Sequence, residues 1–313
     1  MPKKALLFLF SILLLLTACT QKENETNREQ LTIFTTVYPL QYFTERIGGD
    51  FVETNSIYPP GSDEHTFEPT QKDMIALSDA DLFFYIGLGL EGFVEKAEKT
   101  LSKEHVQLIA TASNIDHDAL LHSEEDEHHD HDHDHDHDHG DIDPHVWMSP
   151  KLAHDLSSSI KDALIDVMPE HTDFFEQNFQ QLNDEINTLD QAYVDMVNTA
   201  NMKTFYVSHA AFGYLAHDYG LEQVAVAGIH SQSEPSQRAL IALVDRAKEE
   251  QVKYIFFEQN VSSKLTKIIQ DELGAKSLTL HNLSVLTTQD LQQNEDYFSL
   301  MYENLKQLKK ALQ

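Results

Sequence analysis

The 313-residue sequence predicts an α/β protein in which one long rigid helix joins two parallel-sheet lobes. Short β-rich runs alternate with helix-like stretches in the first part of the chain and again in the last part. Such alternation is typical of a parallel sheet covered by helices on both faces. The stretch between these two parts contains no strand-like run and carries one apolar stripe. Because open α/β sheets bind ligands at the carboxyl ends of their strands, we expect the functional site in the cleft between the lobes.

The N-terminal lobe is predicted over residues 31–150 and includes a His/Asp-rich loop at 117–143 that we expect to be disordered. Its alternating elements are rich in β-branched and aromatic residues where strands are expected. The predicted strands are 31–37, 53–59, 81–87 and 106–111, and the predicted helices lie near 40–48, 70–79 and 91–101.

Residues 151–200 are predicted to form linking helices, with the long helix over 170–200. Pro169 suits the first turn of this helix, where its missing N–H has no partner in any case. Apolar residues then recur at alternating intervals of four and three, which predicts a single buried stripe about 45 Å long. A coiled coil would show the same spacing, but the stripe is short for one, so we expect the helix to pack on the body. The stripe consists of Phe175, Phe179, Leu182, Ile186, Leu189, Tyr193, Met196 and Ala200.

The C-terminal lobe is predicted over residues 201–313 and repeats the plan of the first lobe. It shows no residue-level repeat of the first lobe, only the same alternation. The predicted strands are 203–209, 222–229, 253–259 and 276–281, and the predicted helices lie near 210–219, 235–250, 261–273 and 293–311.

The first residues have the features of a secretory signal. A basic start is followed by an apolar run and small residues, which predicts a signal peptide over 1–18. The ending "LTAC" resembles the lipobox of bacterial lipoproteins, which implies cleavage before Cys19 and its lipidation. A plain signal peptide with a chance cysteine is the alternative. Residues 19–30 would then be the lipidated cysteine and a flexible tether, holding the body at the outer face of the cytoplasmic membrane.

The charge and the cysteine count restrict the partners. The chain has 52 acidic and 22 basic residues, a formal net charge of −30. We expect no nucleic-acid partner, because phosphates would be repelled, whereas cations would be attracted. The single cysteine, Cys19, lies at the end of the leader, so a metal site in the body must use His, Asp or Glu.

Four histidines stand at equivalent positions in the predicted fold. His65 follows the second strand, His209 ends the first strand of the second lobe, and His281 ends its last strand. His145 lies in the segment that leads into the linking helices. A single histidine is more often a hydrogen-bonded space filler, but four such positions predict a tetrahedral metal site at the cleft. An all-nitrogen set favours zinc over manganese.

Two aspartates lie beside these histidines. Asp63 and Asp143 are candidates for fixing the tautomer of a ligating imidazole, although either would also serve to cap a turn. By contrast, His117 and His230 lie in polar loops, and we assign them no role.

Residues 128–139 read "HHDHDHDHDHDH" and indicate a second kind of metal binding. The tract has no apolar residue to bury, so we expect it to be disordered without metal and to hold several weak, exchangeable ions. Our hypothesis is that it raises the local zinc concentration beside the cleft; a solvated charged loop is the alternative. The accessory ligands would be His128, His129, His131, His133, His135, His137 and His139.

Five motifs occur in an order that carries a family resemblance. "GSDEHTFEPT", "DPHVWMSP", "SHAAFGYLA", "SEPS" and "FFEQN" make the body similar to the zinc-binding solute-binding lipoproteins of bacterial ABC uptake systems. The resemblance implies a non-enzymatic, monomeric protein that binds zinc as cargo between two lobes. It further implies delivery to an ABC membrane permease with a cytoplasmic ATPase, in a Gram-positive bacterium.

The resemblance also bears on the ligands. His65, His145 and His209 match the three family histidines, and manganese-type members tend to have Glu where this chain has His209. The fourth position stays open: His281 is our first choice, water the second and Glu258 the third.

Other functions remain as alternatives. A manganese or other divalent-metal binder of the same class is one, and a surface adhesin or extracellular metal buffer is another. A zinc hydrolase is disfavoured because the sequence contains no H-E-x-x-H pair, and four protein ligands would leave no position for an activated water.

Overall fold

The computed structural model describes residues 30–122, 142–230, 235–259 and 263–313. The predicted signal peptide, Cys19 and the His/Asp tract at 128–139 lie outside the described residues. Within the described part of the chain, no helix combines the length and the apolarity that crossing a membrane requires.

The first sheet contains four parallel strands in the order β2-β1-β3-β4. Every residue of β3 is buried, as expected for an inner strand with both faces covered. The helices of this lobe follow the strands, so each parallel crossover is made by a helix or a helix-containing loop. The elements are β1 (Leu31–Thr35), α1 (Tyr38–Gly48), β2 (Val52–Ser56), α2 (Gln71–Ser78), β3 (Leu82–Tyr85), α3 (Val94–Leu101) and β4 (Gln107–Ala110).

Two antiparallel helices link the lobes, α4 (Pro150–Val167) and α5 (Thr172–Asn198). The 27 residues of α5 correspond to about 40 Å. It packs on the body, as its single apolar stripe predicts, and it contacts both lobes. Asn178 donates its side-chain amide to the Ile47 carbonyl of α1, and the Tyr193 hydroxyl donates to the Met301 carbonyl near the end of the chain. Because α5 is fixed to both lobes along its length, it is a stiff connection.

The second sheet repeats the first, with the parallel order β6-β5-β7-β8. Each of the eight predicted strands is confirmed to within three residues at its boundaries. The elements are β5 (Thr204–His209), α6 (Gly213–Asp218), β6 (Glu222–Ala227), α7 (Gln237–Glu249), β7 (Tyr254–Glu258), α8 (Lys264–Leu273), β8 (Lys276–Leu280), α9 (Thr288–Gln293) and α10 (Tyr297–Leu312).

The last predicted helix, near 293–311, was wrong at its start. The chain forms two helices there, because Asn294 adopts a left-handed conformation with φ of 54° after α9. Asp296 then begins α10 by accepting a hydrogen bond from the Ser299 N–H at 2.7 Å.

In each sheet the strand order reverses between its two inner strands, and a buried carboxylate lies near that point. In the first lobe this is Glu91, which follows β3. Its carboxylate accepts hydrogen bonds from the Thr36 hydroxyl at 2.8 Å and from the N–H groups of Ile86 and Gly87 at 2.8 and 3.0 Å. It therefore ties the carboxyl ends of β1 and β3 together. In the second lobe the buried carboxylate is Glu258, the last residue of β7, which accepts a hydrogen bond from the Ser208 hydroxyl of β5 at 3.2 Å.

Glu91 should make the stability of the protein depend on pH. Burial raises the pKa of its carboxyl from 4.5 to about 7, against its hydrogen bonds. The folded protein therefore binds the Glu91 proton more tightly than the unfolded chain does. The resulting contribution to the free energy of unfolding is fully present below pH 4.5 and is lost as pH rises through about 7. A shift of this size corresponds to about 3 kcal/mol. The free energy of unfolding is measured with urea at pH 4.5 and at pH 8. The difference between the two pH values should be smaller in Glu91→Gln than in the wild type by about 3 kcal/mol.

Glu95→Gln is the control, because its carboxylate is exposed beside Lys99. It should retain the wild-type pH dependence. If Glu91→Gln also retained it, the ionisation of Glu91 would not be the cause.

Candidate metal centre

Three of the four histidines predicted as ligands come together in the fold. His65, His145 and His209 each offer a ring nitrogen, and these atoms lie within 4.8 Å of one another. The ring centres are 5.2 Å apart for His65 and His145, 5.4 Å for His65 and His209, and 5.1 Å for His145 and His209. Imidazoles bound tetrahedrally to one zinc ion would have ring centres roughly 5 Å apart. The spacing therefore fits a single ion.

The fold brings each ring to the cluster from a different element. His65 lies in the loop after β2, and His209 is the last residue of β5. His145 precedes a short 3₁₀ turn, Val146–Met148, which leads into α4. The cluster is thus assembled at the carboxyl ends of strands and from the entry to the linking helices, as open α/β sheets favour.

His145 is held by a neighbouring carboxylate. Its Nδ1 is 2.7 Å from Asp143 Oδ1, and its Nε2 is buried with no hydrogen-bond partner among the described residues. Because the carboxylate can only accept, Nδ1 carries the proton and Nε2 keeps its lone pair. Gly213 provides the room for this carboxylate, since a Cβ at that position would lie 2.6 Å from Asp143 Oδ2.

His65 also presents a nitrogen without a partner. Its Nε2 is buried and has no hydrogen bond within the described part of the chain. Burial and then the neighbouring imidazoles lower the pKa of His65 to about 2, so its ring is neutral. Asp63 accepts a hydrogen bond from the His65 backbone N–H at 2.9 Å and so caps the turn. Two buried ring nitrogens without hydrogen bonds, in rings whose centres are 5.2 Å apart, are costly in a protein and would be relieved by a cation.

His209 has both ring nitrogens engaged. Its Nδ1 lies 3.2 Å from Glu258 Oε2, and its Nε2 lies 2.7 Å from the Ile229 carbonyl oxygen. Burial lowers the pKa of His209, but the attraction and hydrogen bond of Glu258 outweigh it and raise this pKa to about 9. Both nitrogens therefore donate, and a cation would bind only after one of them loses its proton.

His281 is not brought to this cluster. Its Nδ1 accepts a hydrogen bond from the Leu283 N–H at 2.9 Å, and its Nε2 lies 3.1 Å from Asp290 Oδ2. Asp290 belongs to the capping box at the start of α9, which the sequence did not predict. The ring of His281 is therefore bonded to the start of the helix beside it and lies outside the cluster of His65, His145 and His209.

A buried polar network joins the lobes beside the cluster. The Asn282 side-chain amide donates to Glu64 Oε1 at 3.2 Å and to Glu258 Oε2 at 2.8 Å. The Ser284 hydroxyl donates to Glu64 Oε2 at 2.9 Å, and the Trp147 indole N–H donates to the Asn282 carbonyl at 2.7 Å. Burial raises the pKa of Glu64. Two carboxylates thus lie close to the imidazoles and would compensate the charge of a bound dication.

Sequence reasoning overlooked His230. Its ring centre is 5.6 Å from that of His65, although the residue is exposed. It lies three residues past the last residue of β6, Ala227. The criterion that selected the other histidines, a position just past the carboxyl end of a strand, would have identified it.

Comparisons with known proteins show similarity to proteins of zinc uptake. The model of a protein family described as the periplasmic component A of the zinc-uptake complex matches residues 33–311. The zinc-binding lipoprotein AdcA of Streptococcus pneumoniae R6 is 36% identical over 311 residues, 99% of this chain but 61% of AdcA. The chain therefore spans less than two thirds of that relative. The high-affinity zinc uptake system protein ZnuA of Bacillus subtilis is 37% identical over 96% of this chain and 94% of its own length.

The fold agrees as well. The crystal structure of the Zn(II)-bound ZnuA-like domain of Streptococcus pneumoniae AdcA superimposes with a TM-score of 0.75 at 35% identity. The match covers 90% of this chain and 99% of that domain. The two-lobe α/β fold and the family resemblance drawn from the sequence motifs are both confirmed.

Asn282→Ala should weaken the fold through the interlobe network. The substitution removes the amide that separates two buried carboxylates and leaves them short of a donor, which costs about 1–3 kcal/mol of unfolding free energy. Urea unfolding of the metal-free protein at pH 7 measures this loss. Asn187→Ala, at an exposed position of α5, is the control and should change little. Equal stability of the two variants would show that the network does not hold the lobes.

Proposed function

The chain belongs to the zinc-uptake complex component A family, and from this membership and the histidine geometry we propose that it captures zinc outside the cytoplasm for import. The observation that carries the proposal is the pair of buried Nε2 atoms of His65 and His145, which have no hydrogen-bond partners among the described residues and belong to a cluster of three histidines whose ligand atoms lie within 4.8 Å of one another. Buried polar atoms normally have hydrogen-bond partners, so two buried nitrogens without them indicate a binding site for a cation. Zinc is the cargo here, and the protein is a binding protein rather than an enzyme.

We propose His65, His145 and His209 as the protein ligands. Neutral imidazoles are typical zinc ligands, and a set without carboxylate ligands disfavours manganese. For His209, Nε2 is the better candidate atom, because its partner is a loop carbonyl, whereas Nδ1 faces the carboxylate of Glu258. An imidazole that donates Nδ1–H to a carboxylate while Nε2 binds zinc is a common arrangement.

A water molecule suits the fourth position. His281 directs both ring nitrogens to Leu283 and Asp290, and Glu258 is engaged by His209 and Asn282. Of the three alternatives that the sequence left open, water alone requires no existing protein hydrogen bond to break.

The site of action follows from the family and the leader. We propose that the protein works as a monomer, anchored through a lipidated Cys19 at the outer face of the cytoplasmic membrane. It would hand zinc to an ABC permease with a cytoplasmic ATPase. These steps are tested by loss of growth in chelated medium when the gene is deleted, and by restoration with the wild-type gene but not with a Cys19→Ser variant at equal expression.

The His/Asp tract is proposed as an accessory feeder. The described residues that flank it, His122 and Ile142, pair as an antiparallel bridge, and the next residue, Asp143, contacts the ring of His145. Ions held weakly on the tract would therefore be concentrated near the site.

Zinc titration of the metal-free protein, by calorimetry with a competing chelator, tests the ligand set. One tight ion per chain is expected in the wild type and in a variant lacking residues 128–139. His209→Ala should lose the tight site because only two imidazoles remain. His281→Ala is the matched control and should keep it.

Two results would contradict this assignment. Loss of the tight site on deletion of the tract would make the tract the working site. Loss of the site in His281→Ala would restore the four-histidine set that the sequence predicted.

Asp143→Asn should weaken zinc binding without removing a ligand. The carboxylate fixes the His145 tautomer, and loss of such a partner typically lowers metal affinity by about 10–100-fold. The same titration measures it. Asp155→Asn is the matched control, because Asp155 also approaches a histidine Nδ1, that of the exposed His154, at 3.1 Å. Equal affinities in both variants would rule out the positioning role.

A further inference from the structure

His230 extends the three-histidine cluster toward solvent. It is exposed, and its ring lies 5.6 Å from that of His65 at an interplanar angle of 89°. The side chains of His65, His145 and His209 are all buried, with 5%, 0% and 1% of their surface exposed. His230 is therefore an exposed imidazole beside a buried three-histidine cluster, next to the ring of His65.

The residue before His230 is tied to the cluster. The Ile229 carbonyl accepts the hydrogen bond of His209 Nε2 at 2.7 Å. If Nε2 of His209 binds the ion, that hydrogen bond must break. Filling the site would therefore free the Ile229 carbonyl, immediately before His230. The position of His230 is in this way coupled to metal binding by His209.

We propose that His230 is the entry ligand of the zinc site: it first holds the incoming ion together with His65, and the ion then passes to His145 and His209. This inference rests on the proposed function. The spacing supports the first step, because two imidazoles on one zinc ion have ring centres roughly 5 Å apart.

The burial of the cluster explains why an entry ligand would speed zinc binding. A hydrated dication must exchange its waters for nitrogens, and the nitrogens of His65 and His145 are buried. An exposed imidazole at the mouth lets the ion exchange one water while the rest of its shell is still in solvent. The barrier to entry then falls, and by microscopic reversibility so does the barrier to release.

Stopped-flow kinetics on the full mature chain separates this role from that of a permanent ligand. Zinc association is followed from a chelator-buffered supply, dissociation by transfer to excess chelator, and affinity by chelator competition. His230→Ala should slow association and dissociation alike, by about tenfold, and leave the affinity nearly unchanged. The control is His217→Ala, an exposed histidine of α6 in the same lobe, which should alter neither rate.

Three results would overturn the proposal. Unchanged rates in His230→Ala would exclude an entry role. Weakened affinity with faster dissociation would make His230 a permanent ligand. Absence of a tight zinc site in the wild type would overturn the proposed function and the entry role with it, whereas the first two results would leave the proposed function intact.

Discussion

The site depends on one interlobe interaction, the donation of the Asn282 amide to Glu64 of the first lobe and to Glu258 of the second. This amide allows two buried carboxylates to lie near three imidazoles. Glu258 in turn orients His209, and Glu64 is the chain neighbour of His65. The charge that balances a dication and the positions of two proposed ligands are therefore set by the same hydrogen bonds that join the lobes.

The sequence predicted what periodicity and strand ends determine. Buried strands and the striped helix α5 have regular spacings that do not depend on distant contacts. His65 and His209 were identifiable because the ends of parallel strands meet at one edge of a sheet. The direction of a side chain that follows a strand is not determined by such regular spacings. His281 follows β8 directly, yet its ring turns to Asp290 because α9 begins there with a capping box. Nothing in the local pattern at His281 indicates that contact.

The two aspartates show the same limit. Asp63 and Asp143 each lie two residues before a histidine and each accepts that residue's backbone N–H. Asp143 also reaches the ring of its histidine, since Gly213 of the second lobe leaves space for its carboxylate. This contact depends on a residue 70 positions away in the chain, which no reading of the local sequence provides.

If the three histidines are the zinc ligands, as proposed, binding and release of zinc are coupled through the same contacts. His65 and His145 belong to the first lobe and its exit, and His209 belongs to the second. Any separation of the lobes that breaks the hydrogen bonds from Asn282 and Ser284 to Glu64 also draws His65 away from His209, because Glu64 and His65 are consecutive. Such a movement would remove a ligand and a compensating charge together. Since α5 is fixed to both lobes, a small displacement at the cleft, rather than a wide hinge opening, is the motion that the fold allows.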